Sequence, residues 1–194
     1  MTRSSTRPKA PPPALTQAVL HEAALAYLTH RSASVAQMRK VLDRRVAAWA
    51  RRASEEEAAA GVEKARTAAE AVVERLLASG LLDDAAYAQR RAEALTRSGK
   101  SRRAVAFELA RKGVNEEAAR AAVPQDAETE LAAAVALMRR KRIGPYARAS
   151  LVRDDKLERR WLGTFARGGF SFSTAQRVLR MDRDAADEVL RLLR

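Results

Sequence analysis

One piece of punctuation recurs three times in this chain: an apolar helix end, a glycine, an apolar residue, then a residue that starts helices. It occurs in LLASGLLDDAAYA (76–88), ELARKGVNEEAARAA (108–122) and TFARGGFSFSTAQRV (164–178). A helix closes on a residue in the left-handed conformation, which glycine adopts without a Cβ clash. Gly80, Gly113 and Gly169 are therefore predicted to end helices. Leu81, Val114 and Phe170 are predicted to fold back on the last turn, and Asp83, Asn115 and Ser171 to accept the free amides of the next helix. Aligning the last two copies on Gly113 and Gly169 sets Leu109 opposite Phe165, Val105 opposite Trp161, Ala119 opposite Ala175 and Val123 opposite Leu179. Matched apolar positions imply a repeated helical unit with an equivalent core.

The rest of the chain agrees with an all-α fold. There are only 8 glycines and 6 prolines, with Pro8, Pro11, Pro12 and Pro13 gathered near the N-terminus. Good helix formers dominate, and no alternating run of Val, Ile or Thr offers a strand. SVAQMRKVLDRRVAAW (34–49) carries Met38, Leu42 and Val46 at helical spacing, but no glycine closes it. Its helix is predicted to run on through Arg51 and Arg52 toward Glu57, and the Ala/Glu/Arg-rich segment to Leu77 to complete a long helical hairpin. The expected organisation is three tandem three-helix repeats in an elongated, curved array, because stacked helical repeats contact mainly their neighbours. The boundaries expected are a disordered basic Pro-rich tail at 1–16, a first repeat at 17–82, a second at 83–124 and a third at 125–194.

Charge is the strongest functional signal. The 37 Lys and Arg exceed the 24 Asp and Glu, giving a formal charge of +13 and an isoelectric point near 11. Such a surplus calls for an anionic partner. The cations cluster in every repeat: Arg39, Lys40, Arg44, Arg45, Arg51 and Arg52 in the first; Lys100, Arg102, Arg103, Arg111 and Lys112 in the second; Arg139, Arg140, Lys141, Arg142, Arg159 and Arg160 in the third. Together they are expected to form one positive track for a partner or nucleic acid. Aromatic residues are too sparse for the stacking platform of many single-strand binders. Trp161 and Phe165 are read as core, Trp49 as more open, and Phe107 as a contact to a neighbouring unit.

Other chemistries find little support. Gly99-Lys100-Ser101 matches the end of a phosphate-binding loop, but the required first glycine is replaced by Ala94 and the preceding residues read as helix, not strand. Gly99 is better taken to end a helix and Ser101 to cap the next, with Lys100, Arg102 and Arg103 decorating the junction. Adjacent acids at Asp83-Asp84 and Asp154-Asp155 point in different directions on a helix, and Asp83 and Asp84 suit a helix start. His21 and His30 have no acid at a metal-ligand spacing, and there is no cysteine. No catalytic constellation, metal site or cofactor is expected. The N-terminus lacks the apolar run of a secretory signal, and no stretch reaches the length of a membrane span. A soluble, cytoplasmic monomer is expected.

GLLDDAAYA (80–88), VAFELARKGV (105–114) and TFARGGFS (164–171), in that order and spacing, resemble the RecX family of regulators of the bacterial RecA recombinase. ALAYLTHRSASVAQMRKVLDRRV (24–46) resembles the family's first repeat, although the glycine expected after Leu42 is missing and the segment before Val72 is enlarged. The resemblance implies three tandem three-helix repeats and no enzymatic activity. It also implies binding to RecA and to its filament on single-stranded DNA, with filament extension blocked or disassembly promoted and ATP hydrolysis and strand exchange reduced. Its strongest positions include Gly80, Asp84, Tyr87, Ala88, Glu108, Leu109, Lys112, Gly113, Arg167, Gly169 and Phe170. The glycines and Leu109 have structural roles, whereas Lys112 and Arg167 are expected to face the partner.

A competing reading is a sequence-specific DNA regulator, since ELARKGVNEEAARAA also resembles a helix-turn-helix. Glu116 and Glu117 would then open the recognition helix, where phosphates and base edges select donors. STAQR (173–177) is the better groove reader.

Overall fold

The computed structural model describes residues 13–148, 150 and 152–193, so most of the expected N-terminal tail lies outside the described residues. Ten α-helices and two 3-10 turns make up the regular structure, with no strand among the described residues. The chain divides into two compact units, one ending at Asp83 and one running from Asp84.

The first unit contains α1 (Gln17–His30), α2 (Val35–Ala50) and α3 (Glu55–Ala78). Their shared core holds Leu20, Met38, Leu42, Val72, Val73 and Leu76. Contrary to the expected continuous helix, α2 stops at Ala50. No glycine is needed, because Ser54 restarts the chain with a reciprocal cap. Its hydroxyl accepts from Glu57 N at 3.3 Å, and its backbone N–H donates to the Glu57 carboxylate at 2.8 Å. The helical hairpin expected here is present as α2 and α3. The indole of Trp49 lies over Gly61, where an added Cβ would stand 2.3 Å from the ring.

The second unit opens with α4 (Asp84–Arg97), α5 (Arg102–Arg111) and α6 (Glu116–Ala122). Around them lies a core of Tyr87, Ala88, Leu95, Val105, Leu109 and Val123. It continues with α7 (Ala127–Lys141), α8 (Asp155–Arg167), α9 (Phe172–Leu179) and α10 (Arg183–Val189). This part centres on Val135, Met138, Trp161, Phe165, Phe170 and Leu179. The expected core positions Trp161 and Phe165 are thus buried, and Phe165 meets Phe170 edge to face at 6.0 Å. Every residue from Glu130 to Met138 is buried, which requires a helix enclosed on all sides. Its many alanines permit close approach by neighbouring elements.

The glycine rule holds, with one correction. Gly80, Gly113 and Gly169 have φ of 71°, 74° and 84°. Val114 and Phe170 fold back as expected, their backbone N–H groups donating to Leu109 and Phe165 carbonyls at 3.2 and 3.1 Å. After Gly80, however, Leu81 is 54% exposed and Leu82 takes the core position at 2%. The Leu82 N–H reaches back to Leu76 at 3.1 Å, so this closure contains one extra residue. Asn115 and Ser171 cap α6 and α9 at 2.7 and 3.1 Å. Phe107 is 67% exposed on α5.

Candidate functional site

The Gly99-Lys100-Ser101 stretch forms the tight turn joining α4 to α5. Gly99 has φ of 80° and presses on α7: an added Cβ would lie 2.5 Å from Leu137 N and 2.8 Å from its Cα. Only a residue without a side chain fits both the conformation and the backbone contact. Ser101 is fully buried and caps α5, accepting from Ala104 N at 3.2 Å. Its hydroxyl also donates to the Gly168 carbonyl at 2.7 Å, tying the turn to the end of α8. Glu130 accepts from Arg102 N at 2.8 Å, so α7 supplies a carboxylate to the start of α5. The motif is a structural clamp, as the helix-end reading anticipates.

That clamp carries Lys100 to the edge of a 610 Å³ cleft formed with the C-terminal end of α7 and one face of α8. Lys100, Arg140, Lys141, Arg160 and Arg167 line the cleft, along with Leu137, Ile143, Leu157, Trp161, Thr164 and Gly168. No acidic side chain is among the lining residues. Arg140 donates to the Ser98 carbonyl. Arg167 donates to the Thr164 hydroxyl at 3.3 Å. Cations in the last turn of α7 also complement its carbonyl end. That local role leaves unexplained the contributions from the α4–α5 turn and α8.

Five of the expected basic residues therefore meet in one place, while the others are distributed differently. Arg44 and Arg45 are exposed on α2 in the first unit. Arg111 is tied to Glu108 at 2.7 Å, and Arg102 donates to the Gln125 carbonyl at 3.0 Å. Lys112 is the half-buried cap residue at the end of α5. Arg103 and Arg159 are exposed on α5 and α8. Arg139 lines a separate 390 Å³ depression with Tyr146, Arg183, Asp187, Leu190 and Arg191. Arg142 ends α7 with φ of 53°, the sole non-glycine with positive φ among the described residues.

The expected motif residues act mainly through structure. Tyr87, Leu109 and Phe170 are buried; Asp84 occupies the first turn of α4. Leu137, Ile143, Leu157 and Thr164 also line the cleft, and none of them was among the expected site residues. The helical spacing of Leu157, Arg160, Trp161, Thr164 and Arg167 was the available signal for this face.

Electrostatics around the clamp are uneven. The Arg111 hydrogen bond holds the Glu108 carboxyl below its ordinary range, opposed by burial and reinforced by the positive fields of Arg111, Lys100 and Arg91. Burial and a 2.5 Å hydrogen bond to Asp187 push the Tyr146 phenol up to about 12. No cluster of three or more potential His, Asp or Glu metal ligands occurs among the described residues. No described helix is long and apolar enough to cross a membrane.

The family model described as RecX, second three-helix domain, matches residues 83–123. A regulatory protein RecX from Myxococcus xanthus is 39% identical over 165 residues, covering 82% of this chain and 83% of the relative. Regulatory proteins of that name from Agrobacterium fabrum and Mycobacterium avium are 39% and 40% identical over 109 and 116 residues. Those alignments cover 56% of this chain in each case, and 57% and 62% of the respective relatives. No solved structure matches the chain. The extent and identity of the first of these matches establish that the chain belongs to the RecX family of regulatory proteins.

Proposed function

We propose that this protein binds RecA and RecA–single-stranded-DNA filaments and lowers recombinase, strand-exchange and ATPase activity by blocking filament extension or promoting disassembly. The observation that carries this reading is the convergence of five cations in an acid-free cleft within a regulatory protein of this family. A RecA filament offers repeated binding sites along nucleic acid. Several modest contacts to such a lattice reinforce one another through effective concentration. The protein must bind one assembly state more strongly than another to change filament length, since equal affinity for both states shifts neither.

The duplex-reading alternative gains little from the helix after Gly113. Glu116 opens that seven-residue helix and holds Arg120 at 2.6 Å, placing an acid and an occupied arginine where donors would have to meet DNA. A sequence-specific regulator would discriminate among duplexes, whereas backbone binding is sequence-tolerant and steeply salt-dependent.

The test is titration of the full chain into RecA hydrolysing ATP on single-stranded DNA, with binding to naked DNA measured alongside. Substoichiometric loss of hydrolysis supports filament regulation. DNA binding that leaves RecA unaffected rejects it.

A further inference from the structure

Resting on the filament reading, we infer that the cleft between the α4–α5 turn, the end of α7 and α8 holds the phosphate backbone of single-stranded nucleic acid. Five cationic side chains share its walls with no acidic one to neutralise them. In an empty cleft these like charges repel, and a bound polyanion relieves that repulsion. The fold holds the arrangement firmly: Gly99 sits against the α7 backbone, and buried Ser101 joins the turn to Gly168. Arg140 and Arg167 each have an internal acceptor, so two guanidinium heads are oriented before a ligand arrives. Their remaining N–H groups can meet phosphate oxygens in the paired geometry favoured by arginine.

The rest of the lining favours nucleic acid and limits how it is read. Leu157 is the partly exposed apolar side chain against which a sugar can rest, and the buried Leu137, Ile143 and Trp161 close the floor behind it. No Asn or Gln lines the cleft, and its Thr164 hydroxyl is engaged by Arg167. The site therefore lacks the amide pairs that read adenine. A flexible single strand can bend its phosphates into this concavity; a duplex presents a convex exterior with stacked bases. Exposed Arg142 and Arg159, beside Lys141 and Arg160 in the chain, supply further cations for neighbouring phosphates.

The experiment uses the full chain, fluorescence anisotropy and a labelled oligothymidylate over a series of salt concentrations. Lys100→Ala combined with Arg160→Ala is expected to weaken binding at least about tenfold and, for two lost single-strand phosphate contacts, reduce the log–log salt slope by about 1.4. Arg97→Ala combined with Arg120→Ala removes the same formal charge outside the cleft, and screening should confine its effect to about twofold. Circular dichroism checks folding, and Lys100→Arg with Arg160→Lys should preserve binding. Equal weakening by the two alanine pairs, or an unchanged salt slope in the cleft pair, overturns the assignment. An oligoglutamate that requires Lys100 and Arg160 while oligothymidylate does not also overturns it, in favour of an acidic protein segment. RecA ATP hydrolysis separates this inference from the filament reading. Inhibition by wild type with normal oligothymidylate binding by the cleft pair rejects the cleft alone. Cleft-dependent DNA binding without any RecA effect rejects the filament reading and retains the cleft.

Discussion

Replacing Gly99 by alanine asks the α4–α5 turn to accommodate a methyl group where α7 already stands. The left-handed conformation at φ of 80° costs alanine about 1–2 kcal/mol relative to its preferred region. The new Cβ also meets Leu137 N at 2.5 Å, and a backbone atom cannot escape by changing rotamer. Relief of that overlap by shifting the turn adds roughly 1–3 kcal/mol. Gly80→Ala is the control: φ is 71°, but beyond its two chain neighbours no heavy atom lies within 4 Å of the added Cβ. It should cost about 1–2 kcal/mol from conformation alone. Trp161 reports unfolding of the second unit and Trp49 that of the first, since these are the chain's two tryptophans. Urea titration with the other tryptophan replaced by phenylalanine, each mutant referred to its own single-tryptophan parent, gives the two losses separately. Losses equal within about 0.5 kcal/mol would refute the close approach of the turn to α7.

Three further substitutions probe distinct features. Glu130→Ala leaves Arg102 N without its carboxylate partner and should destabilise the second unit by about 1–3 kcal/mol; unchanged urea unfolding would contradict that role. Tyr146 has a folded-state pKa raised from 10.0 to about 12, so its stabilising contribution is complete below 10 and is lost as pH rises toward 12. Tyr146→Phe should flatten that alkaline fall in urea midpoint, and an identical fall in the variant would reject the assignment. Arg142→Gly removes the left-handed penalty at φ of 53° and should stabilise the second unit by about 1 kcal/mol, measured through Trp161; a loss of stability would show that the arginine side chain compensates for its conformation.

The helix ends were legible because their chemistry is local. A glycine, its flanking apolar residue and a downstream hydroxyl or amide are close in sequence, as Gly113, Val114 and Asn115 illustrate. The same pattern misassigned Leu81 because two leucines follow Gly80 and only the geometry of the extra residue selects Leu82. The end of α2 was missed despite a readable cap, SEEE at 54–57, because no glycine closes that helix as it does the others. The cleft was harder to foresee. Its cations were among those expected, but Lys100 reaches Arg140 and Arg160 only through contacts between elements distant along the chain. Helical spacing could assign Arg160 and Arg167 to a face, but not reveal that the α4–α5 turn stands opposite it.

The Ser101 connection also limits how this protein can be divided or recombined. A fragment ending near Pro124 would retain α4–α6 but lose both Glu130, which serves Arg102, and Gly168, which receives the Ser101 hydroxyl. It would also strip away α7, leaving Gly99 shaped for an absent backbone. Transplanting the region matched by the second-domain family model would therefore move recognisable helices without the supports that set their connecting turn. Exchange at the Asp83–Asp84 boundary keeps those supports together, making residues 84–194 the better cassette for building chimeras.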